Sequence, residues 1–203
     1  MKIICIGRNY TEHIAELQNE KPSDPVIFIK PDSSILKNQH DFYIPEFSKD
    51  VHYEVEVLVK ISKVGKHIDQ KFAPKYYKEI GLGIDFTARD LQSKLKEKGL
   101  PWEKAKGFDD AAVVGKWIPK EKLGDINNLD FSLLKNGQTV QNANTSLMLW
   151  KVDELISYIS TFFTLKTGDI IFTGTPAGVG KVNPDDVLEG YLSEEKMFSV
   201  NVK

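Results

Sequence analysis

One segment decides the expected fold class, Val51-His-Tyr-Glu-Val-Glu-Val-Leu-Val59, because it alternates with the period of a β-strand. Its odd-numbered positions from 53 to 59 are aromatic or apolar and face one way. Glu54 and Glu56 face the other way, separated by roughly 7 Å of rise. Two like charges on one strand face are unfavourable in water, but they become favourable around a divalent cation, which prefers hard oxygen ligands. The segment therefore indicates either a metal site or the solvated face of an edge strand.

The apolar runs along the chain predict a strand-rich α+β fold. We expect strands at 2–6, 26–29, 51–61, 113–118, 131–134, 169–173 and 196–202. A helix is predicted from Thr87 to Lys98, because Thr87 and Asp90 form a capping box and Gly99 follows the last residue. A second helix is predicted over roughly 152–164, where the apolar residues share one helix face. Strands and helices do not alternate regularly, which argues against a doubly wound parallel sheet.

The length and charge of the chain favour one globular domain with a small-molecule or protein partner. Its 203 residues suffice for a single domain spanning residues 1–203 with a buried core. The formal net charge is −2, and acidic and basic residues are scattered throughout. Because no basic stripe is present, we expect no nucleic-acid partner.

The sequence carries no signal for export or membrane insertion. Lys2-Ile-Ile-Cys-Ile-Gly7 is too short an apolar run for a signal peptide, and no apolar segment reaches the ~20 residues of a membrane span. The single cysteine, Cys5, lies in this run and is expected to be a buried thiol, which fits a reducing compartment. We therefore expect a soluble, cytoplasmic protein.

A glycine-rich loop, Thr173-Gly-Thr-Pro-Ala-Gly-Val-Gly180, follows the predicted strand at 169–173. Its glycines permit close backbone approach, and loops on a rigid scaffold often carry functional sites. The spacing matches neither G-x-x-x-x-G-K-[ST] nor G-x-G-x-x-G, so a nucleotide site is not indicated. By itself the loop reads as a structural turn between strands.

Two histidines are candidates for chemistry. If residues 9–17 form a helix, His13 and Glu16 are neighbours at i, i+3, so that the carboxylate can orient the imidazole for proton transfer. The alternative is a solvated surface pair. His52 shares a strand face with Glu54 and Glu56, so it is either a third ligand or a polar neighbour of the site.

Further candidates flank the predicted helix at 87–98. Asp85 precedes the helix after the glycines at 81 and 83, and Arg89 and Gln92 share a helix face near it. The alternative reading is that Asp85 only favours the helix start through the helix dipole. Lys106 follows Pro101 and Trp102, which can hold a cation against a pocket wall, although a solvated lysine is the ordinary alternative. Motifs of covalent hydrolases and zinc proteases are absent, which leaves a metal with a general base.

Five segments carry these candidates and extend over nearly the whole chain. They are Gly7-Arg-Asn-Tyr10 with His13 and Glu16, His52-Tyr-Glu-Val-Glu56, Asp85-Phe-Thr-Ala-Arg-Asp-Leu-Gln92, Leu100-Pro-Trp-Glu-Lys-Ala-Lys106 and Thr173-Gly-Thr-Pro-Ala-Gly-Val-Gly180. In order and spacing they resemble the fumarylacetoacetate hydrolase family, most closely its acylpyruvase and 2-hydroxyhepta-2,4-diene-1,7-dioate isomerase-like members. The resemblance implies a single catalytic domain, a mixed β-sandwich roll with a few flanking helices, that is usually a homodimer and uses Mg²⁺ or Mn²⁺ on 2-oxo acids.

The resemblance also implies roles for individual residues. It makes three acids the metal ligands, namely Glu54, Glu56 and Asp85. It makes His13 with Glu16 a water-activating pair on a lid. It assigns substrate contacts to the remaining candidates, namely Arg89, Gln92, Lys106 and Thr175, and Lys106 is also expected to stabilise the charge that develops in catalysis.

The expected activity is hydrolysis of the carbon–carbon bond of acylpyruvates through a metal-stabilised pyruvate enolate. The alternatives are isomerisation, tautomerisation or decarboxylation of 2-oxo or 2-hydroxy-diene dicarboxylates such as oxaloacetate or 2-hydroxyhepta-2,4-diene-1,7-dioate, since a stabilised enolate serves all of these reactions. A non-catalytic metal-binding module is the alternative from a different class. The presence of His13 and Glu16 favours hydrolysis, because decarboxylation needs no attacking water.

Overall fold

The computed structural model describes residues 1–16, 21–37 and 41–203, and most of its regular structure is in strands. The strands are β1 (Ile3–Gly7), β2 (Val26–Lys30), β3 (Val51–Tyr53), β4 (Val55–Ile61), β5 (Tyr77–Asp85), β6 (Thr87–Ala88), β7 (Ala112–Pro119), β8 (Asp130–Lys135), β9 (Gln138–Asn144), β10 (Ile170–Phe172), β11 (Gly180–Lys181), β12 (Val187–Leu192) and β13 (Glu195–Asn201). The α-helices are α1 (Thr11–Glu16), α2 (Arg89–Glu97), α3 (Glu103–Lys106) and α4 (Val152–Phe162). The strand-rich α+β class is therefore confirmed.

The strands form a mixed sheet that packs against a second sheet. The larger sheet has six strands in the order β2-β1-β10-β4-β5-β7, in which β1 and β10 are parallel and the other neighbours are antiparallel. A four-stranded antiparallel sheet, β13-β12-β8-β9, packs through β12 and β13 against β5. A small sheet of β11, β3 and β6 closes one end. The result is a layered β-sandwich with helices at its edges.

The decisive segment alternates as predicted, but it is two strands rather than one. Val55, Val57 and Val59 are buried in the main core between the sheets and α4, whereas Leu58 lies on the opposite face in a second apolar cluster. The predicted continuous strand at 51–61 is interrupted at Glu54, where the chain leaves the small sheet and enters the large one. The interruption therefore places an acidic residue at the junction of two sheets.

Strand β5, a central strand of the large sheet, was not predicted from the sequence. Its glycines suggested a flexible approach to a helix, but they are required by close packing. A Cβ on Gly83 would lie 2.1 Å from the carbonyl oxygen of Val113, and one on Gly81 would lie 3.0 Å from the Trp117 ring. The strand ends at Asp85, so this acid lies at the end of a rigid strand.

The predicted capping box is wrong. Helix α2 begins at Arg89, its N-cap is Ala88, and no side chain caps it. Thr87 lies in β6, where it pairs with His52 of β3, and its hydroxyl accepts a hydrogen bond from the ammonium of Lys106 at 2.5 Å instead of capping the helix. The predicted end is correct within one residue, and Gly99 adopts φ +61 after it. Helix α4 ends at Phe162, two residues before the predicted end.

Cys5 is buried in β1, as predicted. Among the described residues, the helices are all too short or too polar to cross a membrane.

Candidate metal centre and substrate pocket

Three buried carboxylates lie close together beside the junction of β3 and β4 and the end of β5. Glu54, Glu56 and Asp85 are 4%, 2% and 0% exposed, and each offers an oxygen within 4.8 Å of the other two. The strand pairing explains the meeting, because Val55 pairs with Ile84 and the amide of Asp85 donates a hydrogen bond to the carbonyl of Glu54 at 2.8 Å. The structure thus brings together the three acids that the sequence analysis named as metal ligands.

Three basic side chains surround this acidic trio. Lys106 Nζ lies 2.8 Å from Glu54 Oε2 and 2.7 Å from Asp85 Oδ2, and it is 3% exposed. Arg89 forms an ion pair with the other oxygen of Glu54. Lys30 Nζ lies 2.7 Å from Asp85 Oδ1. Lys106 is therefore a buried member of the site and not the solvated lysine of the alternative reading.

The pKa values of Glu54 and Glu56 are shifted in opposite directions. Burial alone would raise the pKa of Glu54, but Lys106 and Arg89 outweigh it and hold this pKa well below its usual range. Burial raises the pKa of Glu56 well above its usual range, and the negative charges of Asp85 and Glu54 raise it further. The negative charge of ionised Glu56 would thus be poorly compensated by the neighbouring basic groups. Three buried carboxylates with one poorly compensated charge fit a hard divalent cation such as Mg²⁺ or Mn²⁺.

The glycine-rich loop positions the acids through its backbone. The amide of Gly174 donates a hydrogen bond to Glu56 Oε2 at 2.7 Å, and the amide of Gly178 donates one to Glu16 Oε1 at 3.1 Å. Gly174 has φ +100, and a Cβ there would lie 2.7 Å from the Cβ of Asn9. The loop is therefore more than a turn, because its amides hold two candidate site residues.

His13 and Glu16 form the expected pair on helix α1. His13 Nδ1 lies 3.3 Å from Glu16 Oε2, and His13 is 6% exposed. Burial lowers the pKa of His13, while the charge of Glu54 and the hydrogen bond to Glu16 partly oppose this effect. The imidazole is therefore neutral near pH 7 and can accept a proton. The solvated-pair alternative does not hold, because His13 lines the same pocket as the acidic trio.

The predicted substrate-binding residues line this pocket too. Arg89 Nη1 donates a hydrogen bond to Gln92 Oε1 at 2.7 Å, and the Thr175 hydroxyl accepts one from Gln141 Nε2 at 2.9 Å. Phe28 and Trp102 form apolar parts of the wall. Contact of these residues with a substrate stays a prediction.

His52 lies apart from the acidic trio. Its Nε2 lies 3.1 Å from Asp50 Oδ1, and in the described part of the chain the group of potential ligands consists of Glu54, Glu56 and Asp85. His52 is therefore a polar neighbour and not a third ligand.

Three buried polar residues that organise the site were not predicted from the sequence. Lys30 holds Asp85, and Gln141 joins the Thr175 hydroxyl to the amide of Val55, from which it accepts a hydrogen bond at 2.9 Å. Asn9 donates to the carbonyl of Thr173 at 2.7 Å and thereby ties the end of β1 to the glycine-rich loop. Lys30 ends the apolar run at 26–29 and shares a strand face with Phe28. This position was the one local indication that Lys30 is buried.

Comparison with known proteins assigns the family. The family model described as fumarylacetoacetate (FAA) hydrolase, C-terminal, matches residues 2–198. The chain belongs to this family. Its fold therefore is that of the fumarylacetoacetate hydrolases, as the resemblance implied.

Relatives with named activities cover nearly the whole chain. A mitochondrial oxaloacetate decarboxylase from Dictyostelium discoideum is 45% identical over 189 residues, which cover 93% of this chain and 87% of the relative. An oxaloacetate tautomerase from Escherichia coli is 40% identical over 188 residues, covering 92% and 86%. The structure of fumarylpyruvate hydrolase from Pseudomonas aeruginosa in complex with Mn²⁺ and pyruvate has a TM-score of 0.93 and 33% identity, and the match covers 100% of this chain and 89% of that chain. This fumarylacetoacetate hydrolase family member thus resembles enzymes that act on oxaloacetate and an enzyme that cleaves fumarylpyruvate.

Proposed function

We propose that this family member interconverts the keto and enol forms of oxaloacetate with Mg²⁺ or Mn²⁺ as its cofactor. The observation that carries the proposal is a buried, neutral His13 that lines the same pocket as the acidic trio. Tautomerisation needs a base that removes a proton from C3 and a positive field at the 2-oxo oxygen, and the pocket contains candidates for both. Relatives that are named for reactions of oxaloacetate support the choice of substrate.

Glu54, Glu56 and Asp85 would hold the metal ion. When bound, a divalent cation supplies Lewis acidity that favours negative charge on the 2-oxo oxygen. The amide of Gly174 holds Glu56 by a hydrogen bond at 2.7 Å, so the ligand set is positioned by rigid backbone. The β4–β5 pairing does the same for Glu54 and Asp85.

His13 and Glu16 on α1 carry out the proton transfer. The neutral imidazole of His13 takes a proton from C3 of the keto form, and Glu16 stabilises the resulting imidazolium. Gly178 holds Glu16 in turn, through its amide at 3.1 Å. The proton is then transferred to the 2-oxo oxygen, which becomes the enol hydroxyl, so the reaction gains and loses no atom. Arg89 and Lys106 contribute positive charge beside the reacting group.

Hydrolysis of acylpyruvates is the second candidate, because the same His13–Glu16 pair can activate a water molecule. The likeness to the fumarylpyruvate hydrolase structure supports it. We prefer tautomerisation since the curated relatives named above act on oxaloacetate at 40% to 45% identity. Decarboxylation needs no base, so it would leave His13 without a role.

A substrate panel tests the proposal. Oxaloacetate, acetylpyruvate, fumarylpyruvate and 2-hydroxyhepta-2,4-diene-1,7-dioate are incubated with the protein and Mg²⁺ or Mn²⁺, with and without chelator, and products are followed by proton NMR. Accelerated enol–keto exchange of oxaloacetate without pyruvate, abolished by chelator, is the expected result. Pyruvate from oxaloacetate would mean decarboxylation, and pyruvate from an acylpyruvate would mean hydrolysis. No reaction of any substrate would favour the non-catalytic module.

The proposal extends to a homodimer, as the family resemblance implies, and to the cytoplasm, as expected from the absence of an export signal in the sequence. Light scattering of the purified protein measures the mass against that of the 23.0 kDa chain. A mass of one chain would overturn the dimer and leave the proposed reaction untouched.

A further inference from the structure

The side-chain amide of Gln141 connects the glycine-rich loop to strand β4. Its Oε1 accepts a hydrogen bond from the amide of Val55 at 2.9 Å, and its Nε2 donates to the Thr175 hydroxyl at 2.9 Å and to the carbonyl of Pro176 at 3.0 Å. Gln141 is 1% exposed and lies on β9 in the four-stranded sheet, whereas Val55 begins β4 of the large sheet. A buried glutamine of the second sheet therefore holds two parts of the site.

A bulge in β9 lies beside Gln141, at the contact with the glycine-rich loop. The pairing of β9 with β8 passes from Thr139 to Gln141, so Val140 is an extra residue in this strand. Bulges change the direction of side chains and are frequent beside active sites. The loop packs directly against the bulge, because a Cβ on Gly178 would lie 2.4 Å from the carbonyl oxygen of Val140. The local backbone thus favours the contact between Gln141 and the loop.

The partners of Gln141 leave only one orientation for its amide. The backbone N–H of Val55 only donates, so it must face the Gln141 oxygen, and the carbonyl of Pro176 only accepts, so it must face the nitrogen. Turning the amide over would break both hydrogen bonds. The second N–H of Gln141 therefore points at the Thr175 oxygen, which has to accept it.

The Thr175 hydroxyl keeps its own proton for another partner. Thr175 is 3% exposed and lines the pocket that contains the acidic trio. Within residues 1–16, 21–37 and 41–203, the one hydrogen bond of this hydroxyl is the one that it accepts from Gln141. A buried donor without an acceptor is unfavourable, and a ligand group that only accepts hydrogen bonds, such as a carboxylate, would satisfy it.

We propose that Gln141 is a positioning residue, which commits the Thr175 hydroxyl to donate a hydrogen bond to a carboxylate oxygen of the substrate. The inference rests on the proposed function, because it requires a 2-oxo acid in this pocket. Gln141 does not line the pocket itself, so it acts through Thr175. The bound substrate and the transition state both contain the carboxylate. Loss of the hydrogen bond should therefore raise KM for oxaloacetate and change kcat less than about twofold.

Replacing Gln141 by Glu reverses the hydrogen bond while it preserves the shape of the side chain. The glutamate keeps an oxygen for the amide of Val55, but its other oxygen accepts the Thr175 proton and withdraws it from the ligand. Pyruvate is the probe, and calorimetry measures its Kd with Mg²⁺-saturated protein. We expect Thr175→Val to raise this Kd about tenfold in the wild-type background, the loss typical of a hydrogen bond to a charged group. In the Gln141→Glu background the same substitution should raise it less than about twofold.

Three controls separate this role from charge and from structural damage. Gln138→Glu makes the same exchange on the same strand at an exposed residue outside the pocket, and it should leave the Kd of pyruvate unchanged. Thr175→Ser keeps the hydroxyl and should keep most of the affinity. The Kd of Mn²⁺ should not rise in Gln141→Glu, because the Val55 amide, which lies between two of the proposed ligands, keeps its acceptor.

An equal effect of Thr175→Val in both backgrounds would overturn the positioning role, and so would no effect in the wild-type background. Failure of the wild-type protein to bind pyruvate would overturn it too. Parallel losses of Mn²⁺ and pyruvate affinity in Gln141→Glu would mean that Gln141 is only structural. If Gln141→Glu does not fold, as thermal unfolding would report, Gln141→Met takes its place. This variant removes the donor without adding charge, and Thr175→Val should again have a smaller effect than in the wild-type background.

The positioning role and the proposed function fail separately. If pyruvate binds with the expected dependence on both residues but enol–keto exchange of oxaloacetate is not accelerated, the proposed reaction is wrong and the positioning role stands. If exchange is fast and Thr175→Val has the same effect in both backgrounds, the reaction stands and the positioning role is overturned.

Discussion

Lys30 and Asp85 form an ion pair with 2.7 Å between Nζ and Oδ1, although neither side chain is exposed to solvent. Lys30 also donates hydrogen bonds to the carbonyl oxygens of Phe86, Lys106 and Ala111. Lys106 Nζ binds the other carboxylate oxygen of Asp85 at 2.7 Å. The two lysines therefore fix Asp85 from both sides, and Lys30 additionally holds the backbone that carries Lys106.

Replacing Lys30 by Met should lower the free energy of unfolding by about 3 to 5 kcal/mol, because Asp85 would stay buried with one partner fewer. Lys60→Met is the matched control. Lys60 and Glu79 form an ion pair at 2.9 Å whose side chains are 37% and 38% exposed, and such pairs contribute at most about 1 kcal/mol. Urea titration measures both losses. Equal losses would mean that the buried pair stabilises the fold no more than a surface pair.

This relationship also illustrates what the sequence alone could not predict. Alternation predicted that Glu54 and Glu56 share a face, since that is a local property of a strand. Only the family resemblance predicted that Asp85 belongs to the same site, because the glycines of β5 prevented its recognition as a strand. Lys30 was missed because its partner is 55 positions away along the chain, and no local pattern distinguishes a buried paired lysine from a solvated one.

The start of helix α2 also could not be predicted from the local sequence. Thr87 and Asp90 satisfy the local pattern of a capping box, yet the Thr87 hydroxyl is bound to Lys106 Nζ at 2.5 Å. A tertiary hydrogen bond thus replaced the local one, and the helix begins two residues later. The His13–Glu16 pair was predicted well because the two residues are neighbours within one helical turn.

The two glutamates of the trio should respond differently to the same substitution in metal-free protein. Glu54→Gln should lower the free energy of unfolding by about 3 kcal/mol at pH 8, because Lys106 and Arg89 lose a buried carboxylate. Glu56→Gln should leave it unchanged or raise it. The pKa of Glu56 is raised in the folded protein, so its contribution is present below the unfolded value of about 4.3 and is lost as pH rises through the folded value.

Both variants should lose the metal. Wild-type protein should show a Tm that rises on addition of Mn²⁺, whereas neither variant should show a rise, since each lacks one ionised ligand. Thermal unfolding with and without Mn²⁺ measures both effects on the same samples. A Tm that still rises in Glu56→Gln would remove this residue from the ligand set.

The acid limb of the pH–rate profile should report His13. Burial lowers the pKa of His13 from about 6.5, so kcat/KM should fall only as pH drops below that value and the imidazole becomes protonated. The hydrogen bond to Glu16 raises this pKa, so Glu16→Gln should move the limb to lower pH. His13→Gln should lower the rate by about 10²- to 10⁴-fold and abolish the limb.

Oxaloacetate exchange measured from pH 4.5 to 8 checks these shifts. His67→Asn is the control, because His67 is exposed, lies outside the pocket and has φ +51, a conformation that Asn tolerates. Its profile should match that of the wild-type protein. A limb that moves to higher pH in Glu16→Gln would contradict the assigned role of the carboxylate.

A side chain at Gly174 should destabilise the protein and displace the glycine-rich loop. An alanine Cβ there would lie 2.7 Å from the Cβ of Asn9, and φ +100 is unfavourable for any L-residue. Gly137→Ala separates these two effects, since Gly137 has φ +78 and no atom within 4 Å of an added Cβ. We expect Gly137→Ala to cost about 1 kcal/mol from backbone strain, and Gly174→Ala to cost about 1 to 3 kcal/mol more. Only Gly174→Ala should weaken Mn²⁺ binding by calorimetry, because it displaces the amide that holds Glu56. Equal effects of the two substitutions on both quantities would mean that the loop acts as a simple turn.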